Sequence, residues 1–166
     1  MDSSAILTEL PRLRRYARAL VRDRAAADDL VQDTLERAWS RIAQWRPGSD
    51  LRAWLFGIMH NLRVDQLRRP GLNTLPIDDE DFSVPIRATQ SDRLELNDLE
   101  SALARLPEEQ RTVLLLVALE DMTYDEIAGA LGIPVGTVMS RLARGRERLR
   151  LILEGRVPST NLRVVR

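Results

Sequence analysis

The sequence lacks two residue types altogether, and each absence narrows what the protein can be. It contains no cysteine, which excludes disulfide bonds and thiolate metal sites. It contains no lysine either, so that all 25 basic residues are arginine. No apolar run reaches the length of a membrane span, and residues 1–10 lack the basic start and apolar block of a secretory signal. Together these features predict a cytoplasmic protein.

The chain also has few residues and motifs that are typical of a catalytic site. Histidine occurs once, and the sequence shows no Gly-rich phosphate loop, no cluster of metal ligands and no nucleophile beside a base. We therefore expect a protein that is not an enzyme and that binds no cofactor and no metal. The 166 residues, 44% hydrophobic and 30% charged, indicate a soluble folded chain with one ordinary domain or two small ones.

Charge is unevenly distributed along a chain whose net charge is zero. Residues 10–69 hold 13 Arg against 7 acids, residues 70–99 hold 2 Arg against 7 acids, and residues 141–166 hold 8 Arg against 2 acids. Two basic blocks separated by an acidic segment favour two contacts with a polyanion, joined by a connector that avoids it. Chance patterning on the surface of a helical protein is the alternative that charge alone leaves open.

Apolar residues recur at helical spacing in two blocks, which predicts an all-α fold. The first domain is predicted at residues 10–70. It is broken by "RPGSD", where Ser49 or Asp50 can cap the next helix, which has apolar residues on two sides and is expected at the centre. An acidic, proline-containing linker follows at 71–92, then a second domain at 93–155 and a tail at 156–166.

The second domain carries the signals of a helix-turn-helix. Thr123 and Glu126 have the spacing of a capping box, Gly132 supplies the turn, and the last helix starts near Pro134. One stripe of that helix is apolar and consists of Val138, Leu142, Gly145 and Leu149. The other flank is predicted to contact DNA and consists of Thr137, Ser140, Arg141, Arg144 and Arg148. A solvated basic helix would explain the arginines, but not the capping box and the glycine turn.

Three segments together resemble the extracytoplasmic-function sigma factors of bacterial RNA polymerase. They are "YARALVRDRAAADDLVQDTLERAW", "LRAWLFGIMHNLRVDQLRR" and "LPEEQRTVLLLVALEDMTYDEIAGALGIPVGTVMSRLARGRERL". The resemblance covers about residues 10–153 in the family's order. It implies two helical domains, of which the first reads the promoter −10 element and the second the −35 element. Met139 departs from the pattern, since some relatives have arginine there.

The resemblance also assigns residues in the first domain. It implies that polymerase docks on the acidic face formed by Asp29, Gln32, Asp33 and Glu36. It implies that the −10 element is contacted by Trp45, Arg46, Asn61, Arg63, Arg68 and Arg69, with Asn61 in the pocket for a flipped base. From the residues alone, an ordinary solvated surface is the favoured interpretation of the acidic face. On the same basis, Trp39, Trp45 and Trp54 are core residues, and His60 is a surface or packing residue.

The resemblance therefore predicts a transcription initiation factor that binds core RNA polymerase and promoter DNA, is held by an anti-sigma factor and is monomeric when free. The resemblance implies that the linker passes near the polymerase active centre, where its "DDED" segment would imitate the charge of nucleic acid. The alternative is that these acidic residues only keep the linker soluble. The main alternative is a dimeric helix-turn-helix regulator that acts without replacing a sigma subunit. Another alternative is a module that imitates a sigma factor and so sequesters the antagonist of the real one. Such a module would not need Arg141, Arg144 and Arg148, so their presence argues against this alternative.

Overall fold

The computed structural model describes residues 3–69 and 98–155, which form two groups of α-helices with no strand among them. The first domain consists of α1 (Ser3–Thr8), α2 (Leu10–Leu20), α3 (Arg24–Ser40) and α4 (Leu51–Arg68). The second consists of α5 (residues 98–104), α6 (Glu108–Ala118), α7 (Tyr124–Leu131) and α8 (Val135–Leu153). The predicted all-α fold is confirmed. The predicted linker and tail lie outside the described residues, and the domain boundaries stay predictions.

Side-chain caps begin the two long helices of the first domain. The Asp23 carboxylate accepts a hydrogen bond from Ala25 N at 3.2 Å and starts α3. Asp50 starts α4 and accepts from Arg52 N at 3.0 Å and from Ala53 N at 3.4 Å. These bonds satisfy amides that have no partner within the helix. Of the two cap candidates at the "RPGSD" break, the structure selects Asp50.

Helix α4 lies at the centre of the fold, as its apolar residues on two sides predicted. Every residue from Leu55 to Met59 is buried. The ring of Phe56 meets that of Tyr16 from α2 edge to face, with centroids 5.0 Å apart. Such aromatic pairs contribute about 1 kcal/mol beyond their buried area. The site residues on α4 are therefore carried by a rigid element.

The two domains pack against each other and share one hydrophobic core. Helix α4 lies on α7, and α2 lies on α6. Buried residues of both domains belong to the same cluster, including Leu13, Phe56, Leu116 and Ile127. Each domain is near the lower size limit for independent stability. Burial of apolar surface between the domains therefore stabilises both.

The start of α7 has the reciprocal capping box that the sequence predicted. Glu126 N donates to Thr123 Oγ1 at 3.1 Å, and Thr123 N donates to Glu126 Oε1 at 2.8 Å. We expect Thr123→Ala to lower the free energy of unfolding by about 1 kcal/mol, because one amide loses its acceptor. Urea denaturation followed by circular dichroism measures this change.

The matched control for that prediction is Thr8→Ala. The Thr8 hydroxyl donates to Ser4 O at 2.9 Å on the exposed side of helix α1. We expect this control to change the free energy of unfolding by less than about 0.5 kcal/mol. If Thr123→Ala costs no more than Thr8→Ala, the capping box does not stabilise the helix-turn-helix.

Candidate functional site

Helices α7 and α8 form the predicted helix-turn-helix. Gly132 ends α7 in the left-handed conformation with φ of 70°, and its amide donates to Ala128 O at 2.9 Å. Ile127 of α7 and Val138 of α8 are both fully buried and lie in the same core cluster. Pro134 directly precedes α8, where its missing amide hydrogen costs nothing. The turn glycine and this packing fix α8 relative to α7.

The structure separates the predicted DNA-contacting residues of α8 by exposure. Arg144 is exposed, whereas Thr137, Ser140, Arg141 and Arg148 are only half-exposed. The predicted apolar stripe faces inward as expected, with Val138 at 0% and Leu142 at 2% exposure. The accessible surface around Arg144 therefore differs in composition from the flank that the helical wheel selected.

The sequence left the base contact at Met139 open, as apolar or absent, and gave no contact to Ala143; both residues lie on the open surface of α8. Met139 is 51% exposed and Ala143 is also exposed. Positions 139, 140, 143 and 144 lie within about 140° of each other on a helix of 3.6 residues per turn, so the four share one side of α8 with Ser140 and Arg144. On the helical wheel Met139 lies outside the apolar stripe of Val138, Leu142, Gly145 and Leu149, which was the sequence signal for this surface.

Arg141 faces the first domain. Its Nη2 lies 3.8 Å from Glu109 Oε2 of α6. Arg141 and Glu109 also line a cavity between the domains, together with His60, Asn61 and Arg63 of α4. We call this space the interdomain cavity. It brings one predicted −35 residue, Arg141, next to three predicted −10 residues, Asn61, Arg63 and Arg68.

Arg63 is engaged by the second domain. Its Nε lies 2.9 Å from Glu108 Oε2, and its Nη2 lies 3.4 Å from Glu108 Oε1. This two-pronged geometry is the one in which arginine also holds a phosphate. Glu108 thus engages the guanidinium group of Arg63 in the structure.

The remaining predicted −10 residues are more open. Arg68 and Arg69 are exposed at the end of α4, and Arg46 is exposed in the loop before it. Trp45 is half-buried, and its indole nitrogen Nε1 is buried without a hydrogen-bond partner in the described part of the chain. Arg68 lines the interdomain cavity with Asn61, whereas Trp45 and Arg46 do not. The structure therefore brings together only part of the predicted set.

The predicted polymerase-docking residues share an open face of α3. Asp29, Gln32, Asp33 and Glu36 are all exposed. The opposite side of α3 is buried and includes Ala27, Leu30 and Ala38. Trp39 is 38% exposed, so the expectation that it is a core residue is wrong. The acidic residues thus form one surface, continued by an aromatic ring at the end of the helix.

His60 is the single histidine of the chain and lines the interdomain cavity. Burial lowers the pKa of its imidazole below the usual 6.5, the nearby positive charge of Arg141 lowers that pKa further, and Glu108 acts in the opposite direction. The charged residues around the cavity are Arg63, Asp65, Arg68, Glu108, Glu109 and Arg141. The packed domains therefore favour neutral His60.

We expect a proton NMR titration of His60 to have its midpoint below 6.5, and Arg141→Ala to raise it. Because the pKa is lowered in the packed state, neutral His60 stabilises the packing fully above pH 6.5, and this contribution is lost as the pH falls below that value. Arg150→Ala is the control, since Arg150 pairs with Glu147 at 2.6 Å and Glu154 at 2.9 Å. A midpoint at or above 6.5 in the wild type contradicts the prediction.

Residues 3–69 and 98–155 contain no group of three or more histidine, cysteine, aspartate or glutamate side chains placed to hold a metal ion. No helix within those ranges is long and apolar enough to cross a membrane. What the described residues do provide is a helix-turn-helix with exposed cationic and apolar side chains, and a separate acidic face on α3. A helix-turn-helix with exposed cationic side chains is typical of DNA-binding proteins, and the acidic face of α3 is a second exposed surface.

Comparison with known proteins agrees for both domains. Residues 6–60 match the family model "Sigma2 domain of PhyR", and residues 96–149 match "Sigma-70, region 4". The chain is 39% identical over 153 residues to the ECF RNA polymerase sigma factor EcfG of Rhodopseudomonas palustris, covering 89% of this chain and 82% of that relative. The chain therefore belongs to the ECF RNA polymerase sigma factors, which are transcription initiation factors.

Two solved structures have the same fold. RpoE of Bartonella quintana, determined with the anti-sigma factor NepR, has a TM-score of 0.75 and 37% identity over 91% of this chain and 95% of that chain. CnrH, determined with the cytosolic domain of CnrY, has a TM-score of 0.68 and 29% identity over 92% and 86% of the two chains. Family membership decides for the initiation factor over the dimeric regulator.

Proposed function

We propose that this sigma factor docks on core RNA polymerase in the cytoplasm through the acidic face of α3. The factor then reads the −35 element with α8 and captures the melted −10 strand with α4. The observation that carries this proposal is the exposure of two chemically different surfaces on separate domains. The acidic one suits a basic protein partner, and the cationic one suits DNA.

The exposed carboxylates of α3 support its assignment as the docking surface. Its carboxylates at Asp29, Asp33 and Glu36 are exposed, and no hydrogen bond or ion pair ties them to the described part of the chain. An unengaged acidic face carries no desolvation cost within this protein and is available to arginine or lysine of a partner. Buried Thr34, whose hydroxyl donates to Leu30 O at 2.7 Å, sits on the inner side of the same helix and keeps that side packed.

The −35 contacts are assigned to the open side of α8. Arg144 can bond a guanine edge with two hydrogen bonds, and Ser140 can bond either a base or a phosphate. Met139 and Ala143 beside them present apolar surface, which suits the methyl group of thymine. Arg148 and Arg141 at the half-buried flank are assigned to backbone phosphates.

The −10 contacts are assigned to Asn61 and the basic residues around it. An amide can bond the edge of a flipped base, and Arg63, Arg68 and Arg69 can hold the phosphates on either side. Arg46 and Trp45 in the preceding loop flank this surface and are assigned to the strand as it leaves the pocket. Melting is then driven by binding of the open strand, without nucleotide hydrolysis.

Two further parts of the proposal concern partners. The sigma factor RpoE was determined with the anti-sigma factor NepR, which supports an anti-sigma factor for this chain as well. The shared core of the two domains buries apolar surface within one chain, which supports a monomer when free. Light scattering of the purified protein tests the monomer.

A second candidate function comes from the match of residues 6–60 to the sigma2 domain of PhyR. A solved PhyR, named an anti-anti-sigma factor, has this fold at 18% identity. A module of that kind would imitate a sigma factor and bind the antagonist without reading promoters. Such a module has no need of the exposed Arg144, and the 39% identity to a sigma factor favours initiation.

Run-off transcription tests the proposal directly. Purified protein and core polymerase are given genomic promoter fragments, with the protein omitted as the control. We expect protein-dependent transcripts that share spaced −35 and −10 motifs. If no transcript appears and the protein only relieves inhibition of another sigma factor by its anti-sigma protein, the imitation function replaces initiation.

A further inference from the structure

A cavity of about 650 Å³ lies between α2 and α5, and none of its described lining residues belongs to α3 or α8. Cavities that hold small molecules have volumes of about 300–1,000 Å³. The charged side chains that line this one are Arg14, Arg15, Arg18, Arg22 and Glu100. Four guanidinium groups against one carboxylate give it a positive lining in a chain whose net charge is zero. The cavity therefore favours an anion of small-molecule size.

Three of these arginines are held close together by the helix itself. Arg14 and Arg18 are four positions apart on α2, and Arg15 and Arg18 are three positions apart. Side chains at these spacings are neighbours on the surface of a helix, and like charges there destabilise it. A bound anion would cancel that repulsion, so the arrangement is more favourable with a ligand than without one.

The helix dipole explains only part of this arrangement. Cations near the last turn of a helix are favourable, which accounts for Arg18 and for Arg22 just beyond the end of α2. Arg14 and Arg15 lie in the middle of α2, where the dipole has little effect. Glu120, 3.0 Å from Arg15, supplies negative charge to that residue alone. A further source of negative charge is needed to account for Arg14.

The guanidinium groups keep donors that can bond a ligand. Arg14 is exposed and makes no hydrogen bond or ion pair with the residues that the structure describes. Arg15 donates from Nη2, to Glu120 Oε2 at 3.0 Å and to a backbone carbonyl at 2.9 Å. Arg18 also uses Nη2, which lies 3.4 Å from Asp28 Oδ1. Since arginine has five N–H donors in a planar fork, the described contacts leave Nε and Nη1 of both residues to an anion.

We propose that this cavity binds a chain of phosphate groups, as found in inorganic triphosphate and in nucleoside triphosphates. Arginine binds phosphate with two parallel hydrogen bonds, and arginines one turn apart lie about 6 Å apart along the helix axis, so several phosphate groups are needed to engage them all. A nucleic-acid backbone separates its phosphates by sugars, whereas a triphosphate concentrates them in one cavity. The site is separate from the surfaces of the proposed function and does not depend on it.

The rest of the lining is apolar and consists of Pro11, Ala19 and Leu103. An apolar wall beside a few convergent polar groups is the usual composition of a small-molecule site. The base of a nucleotide would contact this wall while its phosphates engage the arginines. An inorganic phosphate chain would leave the wall uncovered, which gives an experiment a way to tell the two sources apart.

Calorimetric titration of the full chain with inorganic triphosphate, at physiological ionic strength and without divalent cations, tests the site. We expect one triphosphate per chain. Arg14→Ala with Arg18→Ala is expected to weaken binding about tenfold or more, because two charge-assisted contacts to phosphate are lost. Helix content measured by circular dichroism should not change, since the pair of Arg18 with Asp28 is exposed and such pairs contribute little.

The matched control is Arg12→Ala with Arg24→Ala. Both residues are exposed in the first domain, and neither lines the cavity, so the control removes the same charge from elsewhere. We expect its affinity for triphosphate to stay within about twofold of the wild type, because distant surface charges are screened. Equal weakening in the two double variants, several triphosphates per chain, or no binding to the wild type overturns the site.

Glu100 provides a variant with the opposite sign. Its carboxylate lines the cavity from α5 and opposes a phosphate ligand. We expect Glu100→Gln to tighten triphosphate binding about threefold, because the repulsion is removed at nearly constant size. Asp98→Asn on the same helix is the control, since Asp98 is exposed and is not among the described lining residues. If both variants change the affinity equally, the protein binds triphosphate by overall charge and the site is overturned.

Titrations with ATP and GTP identify the source of the phosphate chain. Binding no tighter than that of inorganic triphosphate assigns the site to the phosphate chain alone. Tighter binding of either nucleotide assigns it to a nucleoside triphosphate whose base lies on the apolar wall. A single-stranded oligothymidylate is then added as a competitor. If it displaces triphosphate at a lower concentration of phosphate groups, the cavity belongs to a DNA-contacting surface and the proposal is overturned.

Discussion

The double variant Asp33→Arg, Glu36→Arg is expected to bind core RNA polymerase at least about 30-fold more weakly than the wild type, a loss of about 2 kcal/mol. Both residues are exposed on α3 and engage nothing else in the described part of the chain. Reversal of their charge therefore leaves the fold intact and places arginine against a basic partner surface. Anisotropy of the labelled factor, titrated with core polymerase, measures the affinity.

The matched control reverses two carboxylates elsewhere, as Asp98→Arg with Glu100→Arg on α5. Both are exposed and carry the same change in net charge. Comparison of the two double variants separates a docking surface from a general loss of negative charge. Equal affinities for polymerase in both variants would remove the docking assignment from α3.

The second large effect is expected for Arg144→Ala, which should lower transcription from −35-dependent promoters about tenfold or more. Arg144 is the exposed arginine among the five predicted contacts on α8, and a good two-pronged contact to guanine contributes about 1–3 kcal/mol. Binding to core polymerase should not change, because α3 is untouched. Run-off transcription and polymerase binding are measured on the same preparation.

Arg150→Ala is the control for Arg144→Ala on the same helix. Arg150 is held by Glu147 and Glu154, so that removal of its charge leaves the open side of α8 as it was. We expect transcription within about twofold of wild type, since surface ion pairs contribute little. If Arg150→Ala reduces transcription as much as Arg144→Ala, the reduction comes from the loss of positive charge in general, and Arg144 is not a recognition residue.

The helix-turn-helix was predictable because its signals are local. The capping box at Thr123 and Glu126, the left-handed turn at Gly132 and the buried stripe of Val138 and Leu142 all fall within 20 residues of sequence. Local hydrogen bonding and apolar periodicity determine such elements with little tertiary input. The start of α4 was predictable to within one residue, at Ser49 or Asp50, for the same reason.

The directions of Arg63 and Arg141 were not predictable, because their neighbours come from distant parts of the chain. Arg63 meets Glu108, which lies 45 positions later in the sequence. A helical wheel sorts side chains around one axis but does not say which second helix faces each side. For Arg141 the wheel gave an exposed position, whereas α6 brings Glu109 to 3.8 Å from it.

Gly145 is unfavourable for helix formation but is required by the packing of α8. By helix propensity, glycine in α8 is unfavourable by about 1 kcal/mol. In the structure Gly145 is buried against α6, where an added Cβ would lie 3.3 Å from Gln110 Cβ. The sequence alone contains no indication of that neighbour, so propensity was the only argument available.

The shared core of the two domains has a thermal consequence. Separating α4 from α7 and α2 from α6 would hydrate apolar side chains that belong to one cluster, such as Phe56 and Leu116. Hydration of apolar surface raises the heat capacity, and the attraction between such surfaces weakens on cooling. The balance between packed and separated domains therefore shifts towards separation in the cold, which makes the domain arrangement of this factor sensitive to temperature.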